Sequence, residues 1–370
     1  MSTISLFSLL FLLLSHSLAY HLQTRSSATL KTTTRLWSSD EVSSLDKPAW
    51  AGDDVLSGLV NALITFKPLF GIMKVAARNT LISTAEKNGI PWRGRASQLA
   101  SMQSELDALY ASVEDKSVTY PSYYEKEFHA YDEGNTNWQA AAECESATMS
   151  MALRVWPKDG LTAAAAQDRL RDSFSAAVQA YMAEQQVGPP TKILDVGCSV
   201  GISTFYLARV FSAAEEVTGL DLSPHFLAVA KLRQVQEQGP VGSWRLDNLQ
   251  RIQWRHAQME RSGLRGDEYS LTCACFVFHE LPQAESRAIL KEMHRVTEKG
   301  GVVAITDNNP RSQVIQNLPP VLFTLMKSTE PWSDQYYTFD LEGALEEAGF
   351  SRVKTVASDP RHRTVMAVKT

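Results

Sequence analysis

Apolar positions recur at two different spacings along this chain, and the change between them falls near position 190. From about Trp50 onward they come every three to four residues, as in Leu59, Leu63, Ile64, Leu69, Phe70, Ile72, Val75 and Ala76. That spacing lays one apolar stripe along a helix. It predicts helices over 96–112, 138–155 and 161–186, with Gly89-Ile-Pro-Trp92 as a break and Gly188-Pro-Pro190 as the end of the helical part. Beyond it, short apolar runs near 192–196, 216–220, 252–256, 270–278 and 301–306 alternate with helical stretches. Runs of this length read as buried strands, and their alternation with helices predicts a doubly wound parallel α/β sheet that takes ligands at its carboxyl ends. Residues 351–358 and 364–369 predict a closing strand pair joined by Asp359-Pro-Arg-His-Arg363.

The first residues read as an address. The apolar run 6–14 is too short to span a bilayer, and Ser17-Leu-Ala19 supplies small residues at a cleavage site, so 1–19 is predicted to be a signal peptide. Residues 20–47 carry Arg25, Lys31 and Arg35, many Ser and Thr, and no acid before Asp40, the composition of a transit peptide. Together they imply the plastid of an alga with a bipartite presequence; the simpler alternative is the secretory pathway or an endomembrane lumen. The mature chain then divides into a helical N-terminal cap or lid, 48–190, and a core, 191–370. Residues 55–82 are apolar but hold Lys67, Pro68, Lys74 and Arg78, which favours peripheral membrane contact or a packed helical pair over a span.

Charge narrows the partners. With 36 Lys and Arg against 41 Asp and Glu, the net charge of −5 offers no basic face for phosphates, so a small molecule is expected and no nucleic acid. Cys144, Cys198, Cys273 and Cys275 form no C-x-x-C pair, and no metal is expected. His279-Glu280 lacks the second His of a zincin, because Gln283 stands there after Pro282.

The chemistry concentrates in Lys192-Ile-Leu-Asp-Val-Gly-Cys-Ser-Val-Gly-Ile-Ser-Thr204 and the following Val217-Thr-Gly-Leu-Asp-Leu-Ser223. A strand ending in Asp195 runs into a turn where Gly197 and Gly201 free the backbone to approach a ligand. The next strand ends in Asp221, a carboxylate placed to accept from two ribose hydroxyls. A nicotinamide fingerprint would put glycine at Ser199 and no acid at Asp195. Gly197-Cys-Ser-Val-Gly201 also matches the G-x-S-x-G elbow of serine hydrolases, with Asp221 and His279 following in triad order, although Asp221 lies unusually near for a triad acid.

From 191 to 370 the chain resembles the class I S-adenosylmethionine-dependent methyltransferases, in particular an uncharacterised plastid and cyanobacterial branch. Ile193-Leu-Asp-Val-Gly-Cys-Ser-Val-Gly201 resembles the first motif, Gly219-Leu-Asp-Leu-Ser-Pro224 the ribose-binding strand end, and Arg255-His-Ala-Gln-Met-Glu260 the adenine-contacting third strand end. Residues 272–282 are similar to the fourth strand and its loop, and 290–307 to the helix, K-x-G-G turn and fifth strand. The resemblance implies a Rossmann-like sheet of seven strands, the last antiparallel, with S-adenosylmethionine as cofactor. It implies that Asp195, Gly197, Cys198 and Gly201 surround the methionine part and that Asp221 takes the ribose. Leu222, Gln258 and Met259 would contact the adenine, and 276–279, with Phe276, would border the transferring methyl. His279 would be the general base if the acceptor is a hydroxyl or thiol, and otherwise a hydrogen-bonded loop residue, with Glu280 and Asp307 in reserve. The aromatic tract 121–138 would close as a lid, bringing Tyr131, Asp132, Asn135 and Trp138 to the substrate. The insertion 308–337, with Leu318, Leu322, Phe323, Met326, Trp332, Tyr336 and Tyr337, would cover a small lipophilic or aromatic acceptor. Two other functions stay open at this point: a serine hydrolase acting through Ser199, and a protein that binds the cofactor without turnover.

Overall fold

The computed structural model describes residues 47–48, 50–51, 78–126, 131, 133–236, 248–318, 323, 326–327 and 329–370. The predicted presequence, most of the 55–82 stretch, Asp132 and Leu322 lie outside the described residues. A single sheet organises the rest, in the order β3-β2-β1-β4-β5-β7-β6. Its strands are β1 (Lys192–Val196), β2 (Glu216–Asp221), β3 (Ile252–His256), β4 (Tyr269–Cys275), β5 (Thr297–Asn308), β6 (Phe350–Ala357) and β7 (His362–Lys369). The first five are parallel, and β7 pairs antiparallel with both β5 and β6. The predicted α/β architecture is therefore present, including the antiparallel last strand. Strand order reverses between β1 and β4, which opens a crevice at their carboxyl ends.

The central strands are buried on both faces, as parallel strands covered by helices must be. Leu194 and Val196 of β1 join one core cluster, and Ile193 joins the other together with Cys273, Cys275, Phe205 and Leu207. Cys273 and Cys275 are thus small buried hydrophobes, with their thiols pushed up by burial.

Among the described residues the helices that flank this frame include α1 (Trp92–Ala100), α2 (Gln103–Val113), α3 (Trp138–Val155), α4 (Ala163–Glu184), α5 (Ile202–Val210), α6 (Pro224–Val235), α7 (Gln283–Val296) and, after short helical turns at Gln313–Gln316 and Ser333–Tyr337, α8 (Leu341–Glu347). Side-chain caps fix several starts. Asn137 accepts from Ala140 N, Thr162 from Ala165 N and Ser223 from Phe226 N, each such cap being worth about 1 kcal/mol. The predicted 96–112 helix is two helices, because Ser101 turns its hydroxyl back onto the Gln98 carbonyl at the break. β4 stops before the predicted 278, since Phe276 takes a left-handed φ of 61° and a short turn follows at Phe278–Glu280.

The N-terminal helices sit on the crevice side: α2 packs on α6, and α3 on α4 and α6. Trp50 is pinned among residues of the 313–337 insertion. Its ring stacks on Phe323 and meets the edge of Tyr337, and its indole N–H donates to the Ile315 carbonyl.

Phe205 on α5 is fully enclosed between the helix layer and the sheet. Phe205→Ala should cost about 3–5 kcal/mol in urea denaturation; a loss below about 1 kcal/mol would contradict this packing.

Candidate functional site

The register of β1 on β2 sets Asp195 opposite Gly219, so Asp195 and Asp221 project from the same face of the sheet. Asp195 Oδ2 accepts from Ser203 Oγ at 2.7 Å and Thr204 Oγ1 at 2.6 Å, while its Oδ1 is buried without a partner. Asp221 spends one contact per oxygen on the backbone: Ser199 N donates to Oδ2 at 2.7 Å and Ser223 N to Oδ1 at 2.8 Å. Burial pushes both carboxyls up to about 6, against the pull of these hydrogen bonds.

The loop between them turns through Gly197, Ser199 and Gly201, with φ of 70°, 51° and 80°. A Cβ on Gly197 would stand 2.6 Å from Val277 Cγ2, and one on Gly201 would stand 2.6 Å from Trp254 Cη2. Both glycines make room for the chain's own Val277 and Trp254 side chains, and the loop is tight for that reason. Ser199 holds a conformation that costs an L residue about 1–2 kcal/mol. Its hydroxyl touches Cys144 Sγ at 3.2 Å, and its N–H is the one that Asp221 accepts. The hydrolase triad is not assembled, because His279 is bound elsewhere.

His279 belongs to a second pair. Its Nδ1 meets Asp307 Oδ1 at 2.8 Å, its backbone N–H donates to Asp307 Oδ2 at 3.1 Å, and its Nε2 lies 4.0 Å from Glu280 Oε1. Burial alone would lower the imidazole, but the charge and hydrogen bond of Asp307 lift it to about 10. Asp307 is correspondingly held below the usual carboxylate range despite its burial. Glu280 rises to about 8, first through burial and then through the charges of Glu330, Asp307 and Asp221, against the pull of His279. Beside Glu280 lies a cavity lined by Tyr123, Tyr124, Asn135, Met259, Val277 and Leu281. Asn135 ties the two pairs together. Its side chain donates to Glu280 Oε2 at 3.4 Å, and its carbonyl accepts from Ser223 Oγ at 2.7 Å.

These groups suit a cationic amino-acid nucleoside. The free Oδ1 of Asp195 can accept from an ammonium group, and the oxygens of Asp221 retain capacity for ribose hydroxyls. Residues 193–301 match the family described as a methyltransferase domain. This stretch is a methyltransferase domain, with S-adenosylmethionine as its cofactor. An uncharacterised methyltransferase of Synechocystis is 28% identical over 169 residues, covering 45% of this chain and 70% of the relative. A demethylmenaquinone methyltransferase of Staphylococcus haemolyticus is 27% identical over 191 residues, covering 47% and 74%. Among solved structures, a putative O-methyltransferase of Nostoc punctiforme superposes with a TM-score of 0.46 at 21% identity, covering 73% of this chain and 68% of that one.

Within this methyltransferase the remaining sequence candidates scatter. Cys198 and Leu222 are buried around the loop, and Met259 faces the cavity. Gln258 turns its amide toward Thr119. Trp138 does not reach His279: its ring packs on His225 and Tyr110, while Tyr131 bonds Glu143 beside Arg78. Both were expected at the substrate. Of this tract the expected Asn135 reaches the cavity together with Tyr123 and Tyr124, because α3 begins at Trp138 and carries its own ring away toward α6. Tyr336 stands behind His279, with ring centroids 6.3 Å apart and its hydroxyl on the Asn308 carbonyl; Trp332 lies under the Lys126 ammonium. Phe276 turns toward Arg171 and His362. Sequence reasoning overlooked His256, whose Nδ1 accepts from Asp115 N at 2.9 Å, which leaves Nε2 to donate to the Leu222 carbonyl at 3.1 Å. Its place at the end of β3 was the available signal. Among the described residues no cluster of His, Cys, Asp and Glu could hold a metal, and no helix is long and apolar enough to cross a membrane.

The His279–Asp307 pair fixes a pH signature. A raised histidine stabilises the fold below its unfolded value of about 6.5 and loses that contribution toward pH 10; a lowered Asp loses its contribution as pH falls below about 4. The stability of wild type over Asp307→Asn should therefore peak between about pH 4 and 6.5 and shrink on both sides in urea titrations. A margin that grows toward pH 10 would refute the pairing. Ser199→Gly should preserve stability and S-adenosylhomocysteine binding, as measured by melting with and without ligand, since glycine takes that φ without strain.

Proposed function

We propose that this chain methylates a small lipophilic or aromatic acceptor seated against Glu280, His279 and the aromatic insertion. The observation that carries this is the linkage of two sites by one short segment: Ser223 contacts both Asp221 and Asn135, and Asn135 contacts Glu280. When bound, S-adenosylmethionine supplies an electrophilic methyl on a cationic sulfur. In-line transfer then depends chiefly on positioning. Asp221 holds the ribose hydroxyls, Asp195 Oδ1 the amino group, and Leu222 and Met259 the adenine.

His279 keeps its proton near neutral pH under the influence of Asp307. It therefore acts on an already ionised acceptor oxygen by donating from Nε2, rather than as the base foreseen in the sequence. Aromatic hydroxyls provide such an oxygen once their proton has passed to solvent, and the imidazolium beside them favours that ionised form. The likeness to a demethylmenaquinone methyltransferase and the cavity wall of Tyr123, Tyr124, Met259, Val277 and Leu281 support an aromatic, lipophilic acceptor. The proposal extends to a plastid address in residues 1–47 and peripheral membrane contact through 55–82, both supported by composition alone.

Calorimetry with S-adenosylhomocysteine tests the cofactor half. Asp221→Ala should weaken binding by about 10- to 100-fold, the effect of losing charge-assisted hydrogen bonds. Wild-type affinity should also fall as pH drops through about 6, where both carboxyls take up protons. Heats indifferent to the substitution would remove Asp221 from the site. For the acceptor half, His279→Gln should lower kcat on a demethylated naphthoquinol by about 100-fold while leaving S-adenosylhomocysteine affinity within twofold.

A further inference from the structure

The polar groups on the wall of the cavity beside Glu280 are not all spent. Tyr123 gives its hydroxyl to Glu260 Oε1, and Asn135 turns its amide to Glu280 Oε2 at 3.4 Å. Tyr124 lines the same cavity, yet its hydroxyl has no hydrogen-bond partner among the described residues. A tyrosine set in such surroundings keeps an apolar body and a polar tip that seeks a partner. On a cavity wall, water or a ligand completes it.

Tyr124 is held in place by everything except that hydroxyl. Its ring stacks on Tyr120, with centroids 6.2 Å apart and planes at 24°, and meets Tyr123 edge-on at 6.5 Å. Its backbone N–H donates to the Pro121 carbonyl at 2.9 Å. Gly134, at φ 58°, lies so close that a Cβ there would stand 3.3 Å from the Tyr124 carbonyl oxygen and 2.7 Å from that of Lys126. Residues 124–126 and 134 are thus drawn together, which sets Tyr124 and Asn135 on one wall. The Lys126 ammonium lies 4.6 Å from the centre of the Trp332 ring and ties the same stretch to the insertion. A ring fixed in advance loses little freedom when a ligand arrives. The phenol also lies within reach of the charges of Asp221 and Glu280, which add to the effect of burial and raise it well above its ordinary value. It therefore keeps its proton and is a donor.

We propose that Tyr124 is a specificity-determining residue for the acceptor, its hydroxyl donating to an acceptor oxygen while its ring walls the aromatic body. This rests on the reading of the cavity as the acceptor chamber. Tyr124 transfers no proton; it fixes where the oxygen sits. An aromatic of equal shape without an oxygen would leave the hydroxyl unpaired, and a site built around a hydrogen bond discriminates against such a ligand.

Calorimetry on the full chain tests this with 1-naphthol and naphthalene, each added to protein saturated with S-adenosylhomocysteine. Wild type should prefer 1-naphthol by about tenfold or more. Tyr124→Phe should cut that preference about five- to tenfold, the effect of one hydrogen bond, while naphthalene and S-adenosylhomocysteine affinities stay within about twofold. The ligand-free variant should melt as wild type does, because the hydroxyl bonds nothing there. Tyr124→His keeps a donor on a flat ring and should retain part of the preference. Tyr124→Leu should lose it, and these two variants carry the test should Tyr124→Phe fail to fold. An unchanged preference overturns the proposal. So does weaker S-adenosylhomocysteine binding with the preference intact, which would give the hydroxyl to the nucleoside. Equal losses for 1-naphthol and naphthalene would reduce Tyr124 to a packing role. Wild type that binds S-adenosylhomocysteine but neither aromatic would instead overturn the aromatic-acceptor reading, and the Tyr124 contact with it.

Discussion

Two carboxylates buried side by side at the ends of neighbouring strands impose the main constraint on this molecule. Asp195 and Asp221 carry charge into an interior that resists it, and each remains there only because hydroxyls or backbone N–H groups face it. That requirement shapes the loop between them. The backbone must fold back through three left-handed residues so that the Ser199 N–H reaches Asp221, and α5 must begin at once so that Ser203 and Thr204 reach Asp195. The close contacts of Val277 with Gly197 and of Trp254 with Gly201 follow from the same fold-back.

A second electrostatic pair faces the first from the ends of β4 and β5. Asp307 and His279 neutralise each other within the protein, whereas Glu280, left outside that pair, stays partly protonated near neutral pH. The crevice therefore combines strongly held charge with one adjustable carboxyl. The tract before α3 contributes mainly aromatic area and one amide. Tyr123 bonds Glu260, and Tyr124 is raised by its burial near Asp221 and Glu280.

The sheet was legible because parallel strands covered on both sides write themselves as apolar runs with turn residues between them. Both carboxylates were legible because each follows such a run. The long helix at 138–155 coincided with its apolar period, since Asn137 and its predecessors supply a clear start. What the chain did not disclose was direction. Trp138 opens a helix and so points toward α6, a consequence of helical phase against a neighbour far along the chain. The burial of Arg171 and Gln167 on α4 was equally hidden, since on an amphipathic helix two such residues look like part of a solvated face. Only the packing of α4 under Phe276 turns them inward. Ends of elements were the other weakness: β4 stops at a strained phenylalanine that no propensity anticipates, and β5 begins early because a bulge opposite Tyr269 absorbs the glycine turn.

Ser223 is the residue through which the two halves of the crevice communicate. Its N–H is committed to Asp221, while its hydroxyl both caps α6 and holds the Asn135 carbonyl. One small side chain thus fixes Asp221, the start of α6 and the backbone at Asn135 together, so that none of the three can shift without disturbing the other two.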